Sequence, residues 1–150
     1  MTRPTLLLIE DNPDHIELTV LTLEENGADH EIIAVDNGPD ALDYLFCEGR
    51  YVNRTFDHPP ELVMLDLGLP GMSGLEVMRR MREDPRTFFV PIVILTCADE
   101  NSPGVVAFEG GLNSYVQKPL HYRDFQEKLE QVRKYWRTSS FAPLSSLHPL

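Results

Sequence analysis

Four short, continuously apolar runs punctuate the chain, and each leads to residues with chemistry of their own. Leu6-Leu7-Leu8-Ile9 ends at Glu10-Asp11, and Leu62-Val63-Met64-Leu65 ends at Asp66. Ile92-Val93-Ile94-Leu95 ends at Thr96, and Tyr115-Val116 leads to Lys118-Pro119. Runs this short, rich in β-branched residues and separated by helical periodicity, mark strands buried on both faces of a parallel sheet. In an open parallel sheet all the carboxyl ends lie along one edge, where ligands bind. Three acids, a hydroxyl and a lysine are therefore expected to converge on one crevice. Such a set suits a divalent cation and a phosphoryl group.

Between the runs, helices are signalled by spacing and by caps. Asn12-Pro13 turns the chain into a helix carrying Ile16, Val20 and Leu23, expected to stop near Asn26-Gly27. Glu31 to Val35 reads as a second, weaker strand, and Asn37-Gly38 opens a helix with Ala41, Leu42 and Leu45 inward. The stretch from Cys47 to Pro60 exceeds the usual connection of ~2–6 residues and predicts an exposed excursion. After Asp66 comes a turn-rich loop, Gly68 to Gly74, in which Ser73 and Glu76 predict a capping box. The helix it opens carries Val77, Met78 and Met81. Asn101 to Gly111 is a poor helix, broken by Pro103 and Gly104, and its weakness predicts a mobile element. Phe125, Leu129, Val132 and Trp136 mark a last amphipathic helix, followed by a Ser/Pro-rich tail. Five β/α pairs with right-handed crossovers predict an α/β fold with a doubly wound parallel sheet. The expected organisation is one domain over 1–137, a tail over 138–150, and no output domain.

Bulk properties exclude several classes. A content of 42% hydrophobic residues is too high for a disordered chain. No apolar stretch approaches the ~20 residues that span a bilayer, so no membrane association is expected. Met1-Thr2-Arg3-Pro4 runs directly into the first strand and leaves no room for a signal peptide. The net charge of -11 argues against nucleic acid as a partner, since phosphate binding needs a basic face. Cys47 and Cys97 form no CxxC pair and fit a reducing, cytoplasmic compartment.

Each candidate has a plain reading beside its functional one. Glu10-Asp11 alone could be a solvated strand end, and Asp66 alone a turn residue. Together, like charges ~4 Å apart repel by roughly 4 kcal/mol at an effective dielectric of 20, which a cation would relieve. Magnesium takes oxygen ligands and keeps several waters, so Asp11 is expected to bind it directly and Glu10 through water. Thr96 could be an ordinary strand residue, or its hydroxyl could donate to a phosphoryl oxygen. Tyr115 could be packing, or an aromatic that swings between buried and exposed positions. Lys118 supplies one positive charge, and a cis bond to Pro119 would fix its direction.

These residues together resemble the receiver domain of two-component response regulators. The likeness rests on Glu10-Asp11-Asn12, on Leu65 through Gly74, on Thr96, and on Tyr115-Val116-Gln117-Lys118-Pro119, in order over residues 5 to 136. It implies a flavodoxin-like five-stranded sheet of order 2-1-3-4-5. By that resemblance Asp66 accepts a phosphoryl group from a sensor histidine kinase, and Glu10, Asp11, Asp66 and the Gly68 carbonyl organise Mg²⁺. Thr96 and Lys118 hold the phosphoryl oxygens, and Tyr115 follows Thr96 as the switch. The chain would be a signalling protein that catalyses only its own phosphorylation and dephosphorylation. A homodimer through the last strand and its flanking helices is expected. Cys97 stands where alanine or serine is usual and Gln117 precedes the lysine; neither removes a catalytic group. Cys97 is expected to offer its backbone amide to the phosphoryl group, with a redox-sensitive thiol as the alternative. The positions that hold hydrolytic water in receivers, two residues after the phosphoacceptor and two after the threonine, are Gly68 and Ala98. Neither has a polar side chain, so a long-lived phosphorylated state is expected.

A closer resemblance rests on Gly49-Arg50-Tyr51-Val52-Asn53 through Pro59-Pro60-Glu61-Leu62, on Asn113-Ser114-Tyr115, and on Tyr135-Trp136. These segments are similar to the stand-alone regulators that pair with bacterial phytochromes. The downstream target is open. Two other classes compete. A flavin-binding module needs a Gly/Ser/Thr-rich phosphate loop after the first strand, where this chain is acidic. A phosphatase of the haloacid dehalogenase type needs an aspartate two residues after its nucleophile, where this chain has Gly68.

Overall fold

Alternate residues of each apolar run face opposite sides of a sheet, and both sides are covered. The structure, a computed structural model, describes residues 4–24, 31–96, 113–117, 123–124 and 126–131. Strands β1 (Thr5–Ile9), β2 (Glu31–Val35), β3 (Leu62–Asp66), β4 (Ile92–Thr96) and β5 (Asn113–Gln117) form one parallel sheet. Their order is β2-β1-β3-β4-β5, as expected of a flavodoxin-like fold. One face presents Leu7, Ile9, Val63, Leu65, Ile92 and Ile94 to helices α2 (Gly38–Leu45) and α3 (Gly74–Glu83). The other presents Leu6, Leu8, Leu62, Met64, Val93 and Leu95 to helix α1 (Pro13–Glu24) and to Leu129 of the terminal helical residues. Burial on both faces leaves no position for a polar residue, which is why the runs are continuous. Each fully buried Leu or Ile contributes about 1.5–3 kcal/mol.

Helix boundaries follow their caps. Asn12 caps α1, its Oδ1 accepting from Asp14 N at 2.9 Å and His15 N at 3.3 Å, with Pro13 at the first helical position. Asn37 caps α2 in the same way, accepting from Asp40 N at 2.8 Å. That helix ends in a Schellman motif. Glu48 N donates to Asp43 O at 2.9 Å and Cys47 N to Tyr44 O at 3.5 Å, with Cys47 in the left-handed region (φ 56°). Ser73 caps α3, accepting from Glu76 N at 3.3 Å. The expected capping box is realised in this half. The Glu76 carboxylate is engaged instead by Arg79 and Arg80, because a charged pair one turn on competes for it.

Two other expectations hold and gain detail. On α1 the fully buried side chains are Thr19, Thr22 and Leu23, whereas Ile16 and Val20 pack half-buried at the margin. The excursion after Cys47 is also anchored. It begins with a 3₁₀ turn (Gly49–Tyr51), and Tyr51 packs edge-on to Tyr44 with ring centroids 5.0 Å apart. Arg54 lies 3.6 Å over the Tyr44 ring, donates to Tyr44 O and His58 O, and so pins the excursion to α2. Pro60 is buried at its end. The expected helix stop at Asn26-Gly27, the weak helix from Asn101 to Gly111, and Phe125, Val132, Trp136 and the tail lie outside the described residues.

Candidate metal centre at the carboxyl edge of the sheet

Register places the acids side by side. Ile9 pairs with Leu65, so the residues that follow, Glu10 and Asp66, are lateral neighbours at the carboxyl edge. Glu10 still holds the sheet through its N–H, which donates to Val35 O at 3.0 Å. Asp66 pairs with Leu95, which brings Thr96 to the same edge one residue later. Thr96 pairs in turn with Gln117 of β5, and Tyr115 stands opposite Ile94. Parallel pairing has thus turned four distant segments into one rim.

The three carboxylates converge. One oxygen each from Glu10, Asp11 and Asp66 lies within 4.8 Å of the others. Glu10 is fully buried, Asp66 is 7% exposed, and Asp11 faces solvent. Oxygens bound to one magnesium ion at ~2.1 Å lie about 3 Å apart in cis and about 4 Å apart in trans. The Asp11 and Asp66 oxygens, within 4.8 Å of each other, are close to that spacing, and the Glu10 oxygen is near enough to share a water of the ion. The cluster's donors are all hard carboxylate oxygens, and Asp11 is exposed to solvent. The residues present fit Mg²⁺.

Local backbone geometry aims the central carboxylate. Asp66 Oδ1 accepts from Gly68 N at 2.9 Å, an Asx turn that fixes the side chain as β3 enters the loop. Gly71 makes the following turn at φ 71°, and Leu69 buries itself in the core below. The loop lands on α2, where Met72 leaves about 3.0 Å for a Cβ at Gly38. Side chains therefore brace this loop from both ends.

A residue not anticipated from the sequence joins the cluster. His15 Nδ1 lies 3.0 Å from Glu10 Oε1. The signal for it was the pattern Asn12-Pro13-x-His15, which sets His15 at the third helical position behind an N-cap. Side chains there lean back over the helix start. Of the other expected residues, Thr96 and Tyr115 are placed by their backbones, while Cys97, Lys118 and Pro119 lie outside the described residues.

Comparison with known proteins agrees with this arrangement. The response regulator receiver domain model matches residues 6–130. The probable methanogenesis regulatory protein FilR2 of Methanothrix harundinacea is 34% identical over 87% of this chain and 82% of its own. The phosphorylated cyanobacterial phytochrome response regulator RcpA superposes with a TM-score of 0.80 at 26% identity, covering 92% of this chain and 96% of that one. The Mn²⁺-bound form of Rcp1 does so at 0.78 and 26% identity, covering 89% and 94%. The bacteriophytochrome response regulator AtBRR is 37% identical with a TM-score of 0.72, covering 87% and 92%.

Proposed function

Because the chain belongs to the response regulator receiver family, we propose that it is a phosphorylatable signalling protein whose phosphoacceptor is Asp66. The carrying observation is the convergence of Glu10, Asp11 and Asp66 oxygens within 4.8 Å at the carboxyl edge. The cofactor is Mg²⁺, held by Asp11 and Asp66 directly, by Glu10 through water, and by the Gly68 carbonyl. Bound there, it supplies positive charge against the acids and the incoming phosphoryl oxygens. An Asp66 carboxylate oxygen attacks the phosphorus of a phosphohistidine, the P–N bond breaks, and the imidazole leaves with its electron pair. Such a loose transition state asks for positioning and charge neutralisation. The Gly68 N–H positions the carboxylate. Thr96 and Lys118 receive the phosphoryl oxygens, Cys97 offers its amide, Pro119 directs the lysine, and Tyr115 follows Thr96. The new charge then biases two surface conformations, and the chain signals by docking.

The donor is a sensor histidine kinase, and we assign it to the bacteriophytochrome class. Support comes from RcpA, Rcp1 and AtBRR and from the anchored 47–60 excursion. The receiver occupies 1–137 and 138–150 is its tail. The regulator is expected in the cytoplasm with its family; among the described residues no helix is long and apolar enough to cross a membrane. Association as a homodimer through β5 and its flanking helices is favoured by the place of β5 at the sheet edge, since edge strands invite pairing. With a net charge of -11, nucleic acid is not the target. A phosphotransfer panel against the histidine kinases of the same genome tests the assignment. Fast transfer from a phytochrome kinase supports it, and preference for another class removes it. Sedimentation with and without a phosphoryl mimic tests the dimer, and a monomer at high micromolar concentration in both states refutes it.

A further inference from the structure

We propose that His15 is a positioning residue for the metal centre, holding Glu10 at the angle from which it grips a water of the bound ion. The inference rests on the Mg²⁺ reading of the site and adds to it a residue outside the acid cluster. Glu10 is fully buried, and a buried carboxylate is costly unless hydrogen-bonded. His15 Nδ1 meets its Oε1 at 3.0 Å, while the imidazole stays one-third exposed. A carboxylate offers acceptors alone, so the proton of this bond sits on Nδ1 and the ring donates.

The helix start makes the contact rigid. Asn12 Oδ1 accepts from both Asp14 N and His15 N, which fixes the first turn of α1 against the strand end. In a capping box the third helical residue reaches back to the N-cap backbone. Here the same reach carries an imidazole two residues further back, to the strand's last carboxylate. Glu10 is thereby held from two sides, by its own N–H on Val35 O and by His15 on Oε1. A carboxylate held in this way loses little freedom when a hydrated ion arrives. Partners of direct ligands commonly change metal affinity 10–100-fold, and a partner acting through a water-held carboxylate falls at the low end of that range.

Isothermal titration of the full chain with Mg²⁺ alone and with Mn²⁺ alone tests this on three proteins. His15→Leu keeps bulk and removes the donor; His15→Asn keeps a nitrogen donor on Cγ where Nδ1 stands. The expected result is a Kd for both ions raised about tenfold in His15→Leu and returned to within about twofold of wild type in His15→Asn. Thermal melts without metal should place His15→Asn with wild type and His15→Leu lower, since the buried Glu10 carboxylate then lacks a donor, and the recovery of both stability and affinity in His15→Asn marks the hydrogen bond as the cause. Wild-type affinity in His15→Leu overturns the inference, as does failure of His15→Asn to recover. A loss confined to Mn²⁺ would also overturn it, because that marks a softer nitrogen ligand on the ion itself. A wild-type chain that binds neither ion overturns the metal-site reading itself, which separates the two failures.

Discussion

Gly74, the first residue of α3, lies so close behind Asp66 that a Cβ on it would stand 2.5 Å from the Asp66 carbonyl oxygen and 3.0 Å from Leu67 Cα. Both neighbours are backbone and cannot rotate away. The helix start is thus packed onto the strand residue that carries the central carboxylate. Gly74→Ala should force the two apart, lowering stability by about 1–3 kcal/mol as overpacking does. Urea denaturation would show a lower midpoint with an unchanged slope, and Mg²⁺ affinity should fall with it because Asp66 moves.

Tyr44 gives the fold an alkaline limit. Burial raises its phenol above the ordinary value of 10.0, against the opposing pull of Arg54 and of a hydrogen bond with Thr5. The folded chain therefore holds this proton more tightly than the unfolded chain does. The resulting stability is complete below about pH 10 and is lost as pH rises through the folded value. Tyr44→Phe should cost about 1 kcal/mol at neutral pH through the lost hydrogen bond, yet flatten the fall above about pH 10. Denaturation midpoints in neutral and alkaline buffer check both signs.

The phosphorylated state should persist for minutes to hours. Hydrolysis needs a water held in line with phosphorus, and Gly68 and Ala98 have no polar side-chain atom to hold it. The Gly68 backbone is not in the left-handed region, and a Cβ there would rest 3.6 Å from Asp66 Oδ1, an ordinary contact. A side chain at 68 is therefore accommodated. Gly68→Asn with Ala98→Glu should speed loss about tenfold, or ~1.4 kcal/mol of barrier. A wild-type half-life of a few seconds in magnesium buffer contradicts this.

The sheet and the acid cluster were legible because both follow from strand-level facts. Continuous runs such as Leu62 to Leu65 can only be buried on two faces, and parallel order then brings Glu10 beside Asp66 without further information. Helix faces were less legible. Thr19 and Thr22 are buried on α1 with hydroxyls that have no hydrogen-bond partner among the described residues, and periodicity of apolar residues cannot announce a polar inner face. The excursion was legible by its length as exposed, but what anchors it was not: Arg54 on Tyr44 is a tertiary contact ten residues apart. His15 was missed because it carries no apolar or acidic signal of its own. Its meaning depends on where a capped helix points its third residue.

The most direct measurement is metal-dependent phosphorylation by a small phosphoramidate donor, read by intact mass and peptide mapping on wild type, Asp11→Asn and Asp66→Asn. Asp66→Asn keeps the acceptor oxygen facing Gly68 N and so keeps the loop, while its amide cannot form an acyl phosphate. Asp11→Asn should fold as well as wild type or slightly better, since one repelling charge is gone. Wild type should carry one phosphoryl group, placed on Asp66 and dependent on Mg²⁺. Asp11→Asn should carry little and Asp66→Asn none. Labelling of Asp66→Asn at the wild-type rate, or wild-type labelling that ignores removal of Mg²⁺, would contradict this.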